Sequence, residues 1–122
     1  MKVIYLGIKE EIGPCHVNVK ILAETANRAT ATYALRHIEK HSPDGFQWGY
    51  GGSGPSDLAL SILTDYCRRF EEDESQAEKY YQKFKKDFIA TAGNELYIGS
   101  EQINDWLIIE RLISFSERKK EI

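Results

Sequence analysis

The stretch best suited to hold a ligand joins glycines to aromatic rings: Phe46-Gln47-Trp48-Gly49-Tyr50-Gly51-Gly52-Ser53-Gly54-Pro55. Phe46, Trp48 and Tyr50 alternate with small or polar residues, so a short strand there would put three rings on one side. Gly49 to Gly54 spells G-x-G-x-x-G, and Pro55 suits the first position of a helix. Helix N-termini leave N–H groups unpaired and carry partial positive charge, and glycines let an anion approach them. Two readings of the loop stand side by side. In one, the rings are core and the glycines let the chain turn against them. In the other, Gly51, Gly52, Ser53 and Gly54 cradle an anion while Trp48 and Tyr50 offer a stacking platform.

Familiar enzymatic uses of such a loop do not fit. A dinucleotide fold needs a second parallel strand after the helix, whereas here an acidic turn and another helix follow. A phosphate-binding P-loop needs a lysine where Pro55 stands, and a hydrolase elbow needs a glycine there. His16, His37 and His41 lack metal-ligand spacing, and no nucleophile–base set is recognisable. Neither an enzyme nor a bound cofactor or metal is expected. Cationic partners for an anion would come from Arg28, Arg36 or Arg111. Arg111 is the most telling, because a guanidinium among Ile and Leu calls for a carboxylate or a phosphate. Asn94 suits either a helix stop or a base edge. Lys79, Lys83, Lys85 and Lys86 are flanked by Glu78 and Asp87, which describes a solvated helix face.

The elements that must position these residues are legible in outline. Residues 2–8 and 16–22 read as strands separated by Gly13-Pro14, and an extended segment is expected over 30–38. The second half reads as helices over 55–70, with Leu58, Ile62 and Cys67 on its apolar face, and 76–92, with Ala77, Tyr80, Tyr81, Phe84 and Phe88 on its face. A short strand at 96–98 and a last helix over 100–118 follow. The fold expected is α+β, a small antiparallel sheet packed on two to three helices, in a single domain over 1–122. The last helix is apolar nearly all round from Ile103 to Phe115. It is expected either as a central core helix or as a homo-oligomer contact.

The 122 residues carry 16 Lys+Arg against 19 Asp+Glu, a net charge of −3. That balance argues against generic nucleic-acid or anionic-membrane binding. Residues 1–60 hold six basic and six acidic side chains, so the surplus acid lies in the second half. The apolar run Val3–Ile8 is too short for a signal core or a membrane span, and Cys15 and Cys67 read as reduced thiols. The expected location is the cytoplasm.

The stretch from Ser42 to Leu60, Ser-Pro-Asp-Gly-Phe-Gln-Trp-Gly-Tyr-Gly-Gly-Ser-Gly-Pro-Ser-Asp-Leu-Ala-Leu, resembles the signature of an uncharacterised bacterial and phage domain family. The small size and strand-then-helix plan are also similar to phage anti-Thoeris sponges, which sequester cyclic ADP-ribose-type or cyclic oligonucleotide signals. That resemblance implies capture of a small anionic nucleotide-type ligand, with Phe84, Asn94, Arg28 and Arg111 joining the loop residues. The alternative is a protein-interaction module or inhibitor that uses the acidic surface and the last helix.

Overall fold

In the computed structural model, which describes residues 1–24 and 29–120, four strands form one antiparallel sheet. They are β1 (Lys2–Ile8), β2 (Val17–Leu22), β3 (Ala31–Ala34) and β4 (Glu95–Gly99), in the order β3-β2-β1-β4. Val3, Tyr5 and Gly7 of β1 sit opposite Ile21, Val19 and Val17 of β2, and Tyr5 and Gly7 sit opposite Ile98 and Leu96 of β4. Period-two alternation thus gathers Val3, Tyr5, Val17, Val19, Leu96 and Ile98 on one buried face. β4 comes from the second half of the chain and closes the free side of β1. The N-terminal sheet therefore depends on residues about 90 positions away.

Against that face lie α1 (Ser53–Tyr66) and the start of α3 (Ser100–Lys120), and α2 (Ser75–Phe84) packs on α1. α1 is the central helix. Leu58, Ala59, Ile62, Leu63 and Cys67 are completely buried, and side chains of the Leu and Ile type contribute about 1.5–3 kcal/mol each. A π-helical turn extends α1 through Glu71, and another extends α2 through Ile89. Glu72 ends the first with a left-handed φ of 56°. Asp73 then accepts hydrogen bonds from the backbone N–H and hydroxyl of Ser75, at 3.0 and 2.7 Å.

Three local expectations change. Phe46–Tyr50 forms no strand, only one bridge between Phe46 and Cys15, because Gly49 at φ +90° turns the chain away. α1 begins two residues before Pro55, which lies inside its first turn. The extended segment at 30–38 is regular only over Ala31–Ala34, although the Leu35 N–H still donates to the Val17 carbonyl at 2.8 Å.

α3 is neither fully central nor fully peripheral. Ile103 and Leu107 are completely or almost completely buried, and Trp106 packs edge-on against Phe84 and Tyr80. Beyond Leu107 the helix leaves the core: Ile108, Ile109, Leu112, Ile113 and Phe115 are 46–63% exposed. The core expectation holds for its first two turns only.

Trp48 is the largest fully buried side chain and packs against Gly7. A Cβ at Gly7 would lie 2.9 Å from the indole and 2.7 Å from the His16 carbonyl oxygen. Gly7→Ala is therefore expected to destabilise the fold by about 1–3 kcal/mol, and Trp48→Ala by about 3–5 kcal/mol. Both are read from urea midpoints at constant slope. Near-wild-type midpoints would show that the indole is not seated on β1.

Candidate functional site

The glycine-rich loop is fixed on three sides before it enters α1. The Trp48 indole N–H donates to the Gly93 carbonyl at 2.6 Å, and the Gly49 N–H donates to the Ile89 carbonyl at 3.0 Å. From the end of β1, the Lys9 ammonium donates to the Trp48 carbonyl at 2.7 Å. At the start of α1, the Gly52 carbonyl accepts from both the N–H and the hydroxyl of Ser56, each at 3.0 Å. Lys85 then donates to the Ser56 hydroxyl at 3.1 Å. Two ammonium groups are therefore tethered to the loop.

Below the loop lies a buried carboxylate with four donors. Asp57 has no solvent exposure. Its carboxylate accepts from the His37 Nε2 at 2.8 Å and from the backbone N–H groups of Lys40, His41 and Ser42, the shortest at 2.7 Å. Burial alone would raise its pKa, but these donors outweigh burial and hold the carboxyl below its ordinary value of 3.8. One turn on, Ser61 accepts from the Ile38 N–H at 2.9 Å. One turn further, Asp65 accepts from the hydroxyls of Tyr5 at 2.6 Å and Tyr33 at 2.7 Å, and Arg69 donates to Tyr33. Burial and the adjacent Asp65 carboxylate push the Tyr33 phenol up to about 12 and Tyr5 higher still. Asp57, Ser61 and Asp65 follow one helix stripe at four-residue spacing. Together they bind residues 33–42 along α1.

A cavity of about 430 Å³ opens in front of the loop, between Pro14, Asp44, Gln47, Tyr50 and Ser53. Asp44 is the one charged residue in its lining. Gly51 and Ser53 are exposed, Gly54 is buried against Gln47, and the Tyr50 ring, half exposed, lies over Gly52. Trp48 and Phe84 have no exposed surface, so neither ring can stack on a ligand. Asn94 is exposed before β4, where its carbonyl accepts from the Lys9 N–H at 2.8 Å. Arg111 has its carboxylate: it pairs with Glu71 at 3.0 Å and reaches Gln76 at 3.4 Å. Glu71 and Gly52 mark opposite ends of the α1 rod, roughly 28 Å apart at helical rise. Arg111 is therefore remote from the loop. Arg28 lies outside the described residues.

Tyr50, Gly51, Gly52, Ser53 and Gly54 thus stay together, while the other expected ligand residues disperse. Sequence reasoning missed Asp57, His37, Lys9 and Lys85 here. The signal for Asp57 was present as polar residues four apart (Asp57, Ser61, Asp65) interrupting an otherwise apolar helix.

A cavity of about 750 Å³ is an open groove beside α3. It is lined by Tyr66, Phe70, Glu71, Glu101, Asp105 and Arg111, among others. Three carboxylates face one guanidinium and the nearby N-terminal residue Met1. Among the described residues, no cluster of three or more His, Cys, Asp or Glu could hold a metal ion, and no helix is long and apolar enough to cross a membrane. Both cysteines are free and buried, and burial pushes the Cys67 thiol up to about 11.

The chain belongs to a family of unknown function (DUF6166), which matches residues 9–109. The loop, Asp57 and the first half of α3 fall inside that span, whereas Leu112 to Lys120 fall outside it. Comparison with curated proteins and with solved structures finds no match in either.

The depressed Asp57 pKa fixes the sign of an acid limb. Its stabilisation is complete above the ordinary carboxylate value and is lost as pH falls through the lower folded value. Asp57→Asn should cost roughly 2–4 kcal/mol at neutral pH. Its deficit against the wild type should shrink below about pH 4. Urea unfolding at several pH values measures both, and a deficit independent of pH would show that the carboxylate charge is not what holds residues 37–42.

Proposed function

We propose that this protein is a non-enzymatic binding module that docks another protein surface on the exposed face of α3. One observation carries the reading. Ile108 (48%), Ile109 (56%), Leu112 (63%) and Phe115 (52%) stand exposed on adjacent turns of one helix. Scattered apolar side chains are ordinary on a surface, but contiguous ones mark a contact. The same helix is anchored to the core by Ile103, Leu107 and Trp106, so the exposed turns are presented on a fixed stem. The site of action is the cytoplasm.

Ile109→Glu should leave the far-UV spectrum and thermal midpoint near those of the wild type, because the side chain packs on nothing in the core. It should abolish retention of any protein that the wild type holds, itself included. Equal retention by both forms, or none by the wild type, would sink this reading.

A second reading concerns the loop, favoured by the Lys9 and Lys85 ammonium groups held at its two ends, on the Trp48 carbonyl and the Ser56 hydroxyl. There the module captures a small anionic nucleotide-type ligand, the signal class of the anti-Thoeris sponges that the chain resembles in its small size and strand-then-helix plan. Isothermal titration with cyclic oligonucleotides and cyclic ADP-ribose isomers tests it. Saturable heat that falls in Lys85→Ala supports it, and no heat across that panel removes it.

A further inference from the structure

The exposed face of α3 is divided by charge along its length, and that division points to an occupant. At about 100° per residue, Glu101, Asp105, Ile108, Leu112, Phe115 and Lys119 fall within about 60° of one line, opposite the buried Ile103 and Leu107. The stripe is acidic at its start, apolar in the middle and basic at its end, where Arg118, Lys119 and Lys120 stand. A parallel copy would set acid on acid and base on base. An antiparallel copy sets the basic end against Asp105 and the apolar middle against itself.

We infer that the surface docked on α3 is the α3 of a second copy of this chain, packed antiparallel about a twofold axis at Leu112. The inference rests on the docking reading above and names its partner. With Leu112 on the axis, position n faces 224 − n. Leu112 meets the partner subunit's Leu112, and Asp105 meets the partner's Lys119. The Leu112 contact lies on the axis and occurs once, and every other relation occurs twice by symmetry, as in any isologous interface. The acidic groove supports the same arrangement. Glu101 and Asp105 of α3 line it together with Glu71, and the basic end of an antiparallel partner helix runs to that position. Within one chain, Lys119 has only the Phe115 ring beneath it, at 4.8 Å, and among the described residues it makes no ion pair. The seam from Asp105 to Lys119 is short, about 21 Å. The dimer is therefore expected to be concentration-dependent and not obligate.

Sedimentation equilibrium of the full chain from about 1 µM to 1 mM should show monomer and dimer in exchange, and Leu112→Glu should be monomeric throughout. Asp105→Lys and Lys119→Asp should each weaken dimerisation roughly two- to tenfold, and the double variant should recover it. Orientation is read separately. Asp105→Cys mixed with Lys119→Cys should give a mixed disulfide under mild oxidation, since both native cysteines are buried. A disulfide between two Asp105→Cys chains in preference to the mixed one would mean a parallel pair and overturn the inference. A dimer that survives Leu112→Glu would place the contact elsewhere and overturn it too. A wild type monomeric at every concentration overturns self-pairing alone. Docking of a different protein then stands or falls on the Ile109→Glu comparison.

Discussion

The buried carboxylate of Asp57 is the constraint around which the rest of the molecule is arranged. A charge removed from water is costly unless donors replace its hydration, and here an imidazole and three backbone N–H groups do so. Three consecutive amides, Lys40 to Ser42, can converge on one carboxylate only if the chain bends around it. The interaction therefore fixes backbone conformation as well as position. Because Asp57 is in the second turn of α1, the same bend sets where Pro43, Asp44 and Phe46 lead the chain toward the glycine-rich loop.

α1 consequently does two jobs with two sides. Its apolar side, Leu58, Ile62 and Leu63, packs in the core. The polar stripe of Asp57, Ser61 and Asp65 holds the irregular segment 33–42, including the edge strand β3 through Tyr33. This explains how a helix can be buried almost all round and still carry serines, a threonine and aspartates. Each of the polar positions Ser56, Asp57, Ser61 and Asp65 has a named partner.

The two ends of that helix have different chemistry. At its start, two lysines hold the two ends of a loop of small residues. At its far end, Glu71 and Arg111 tie α1 to α3 and border a groove rich in carboxylates. Arg111 illustrates how an apparent ligand residue can be structural. Its charge is met by Glu71 and Gln76, and the pair locks α3 at the point where it leaves the core.

Much was legible from local pattern alone. β1 and β2, their antiparallel pairing, the last helix and the α+β class follow from period-two and helical periodicity, since local geometry and burial there agree. The Gly51–Gly54 loop and its place before a helix also follow from residue types. The candidate site was less legible, because its composition depends on which distant side chains meet. Trp48 was open to two readings until the approach of Gly7 showed the ring enclosed. Arg111 called for a carboxylate or a phosphate, and nothing in the order of residues named Glu71. Lys9 and Lys85 look like ordinary surface lysines until the fold brings them to the loop.

The amino-acid order by itself determined the elements and their apolar faces, because periodicity acts over neighbouring residues. Only the tertiary structure decided that Asp57 would be satisfied by residues 37–42, that β4 would complete the sheet, and that α3 would run out of core after Leu107. Those outcomes depend on how far the packed layers extend in space, a length that no local stretch of sequence carries.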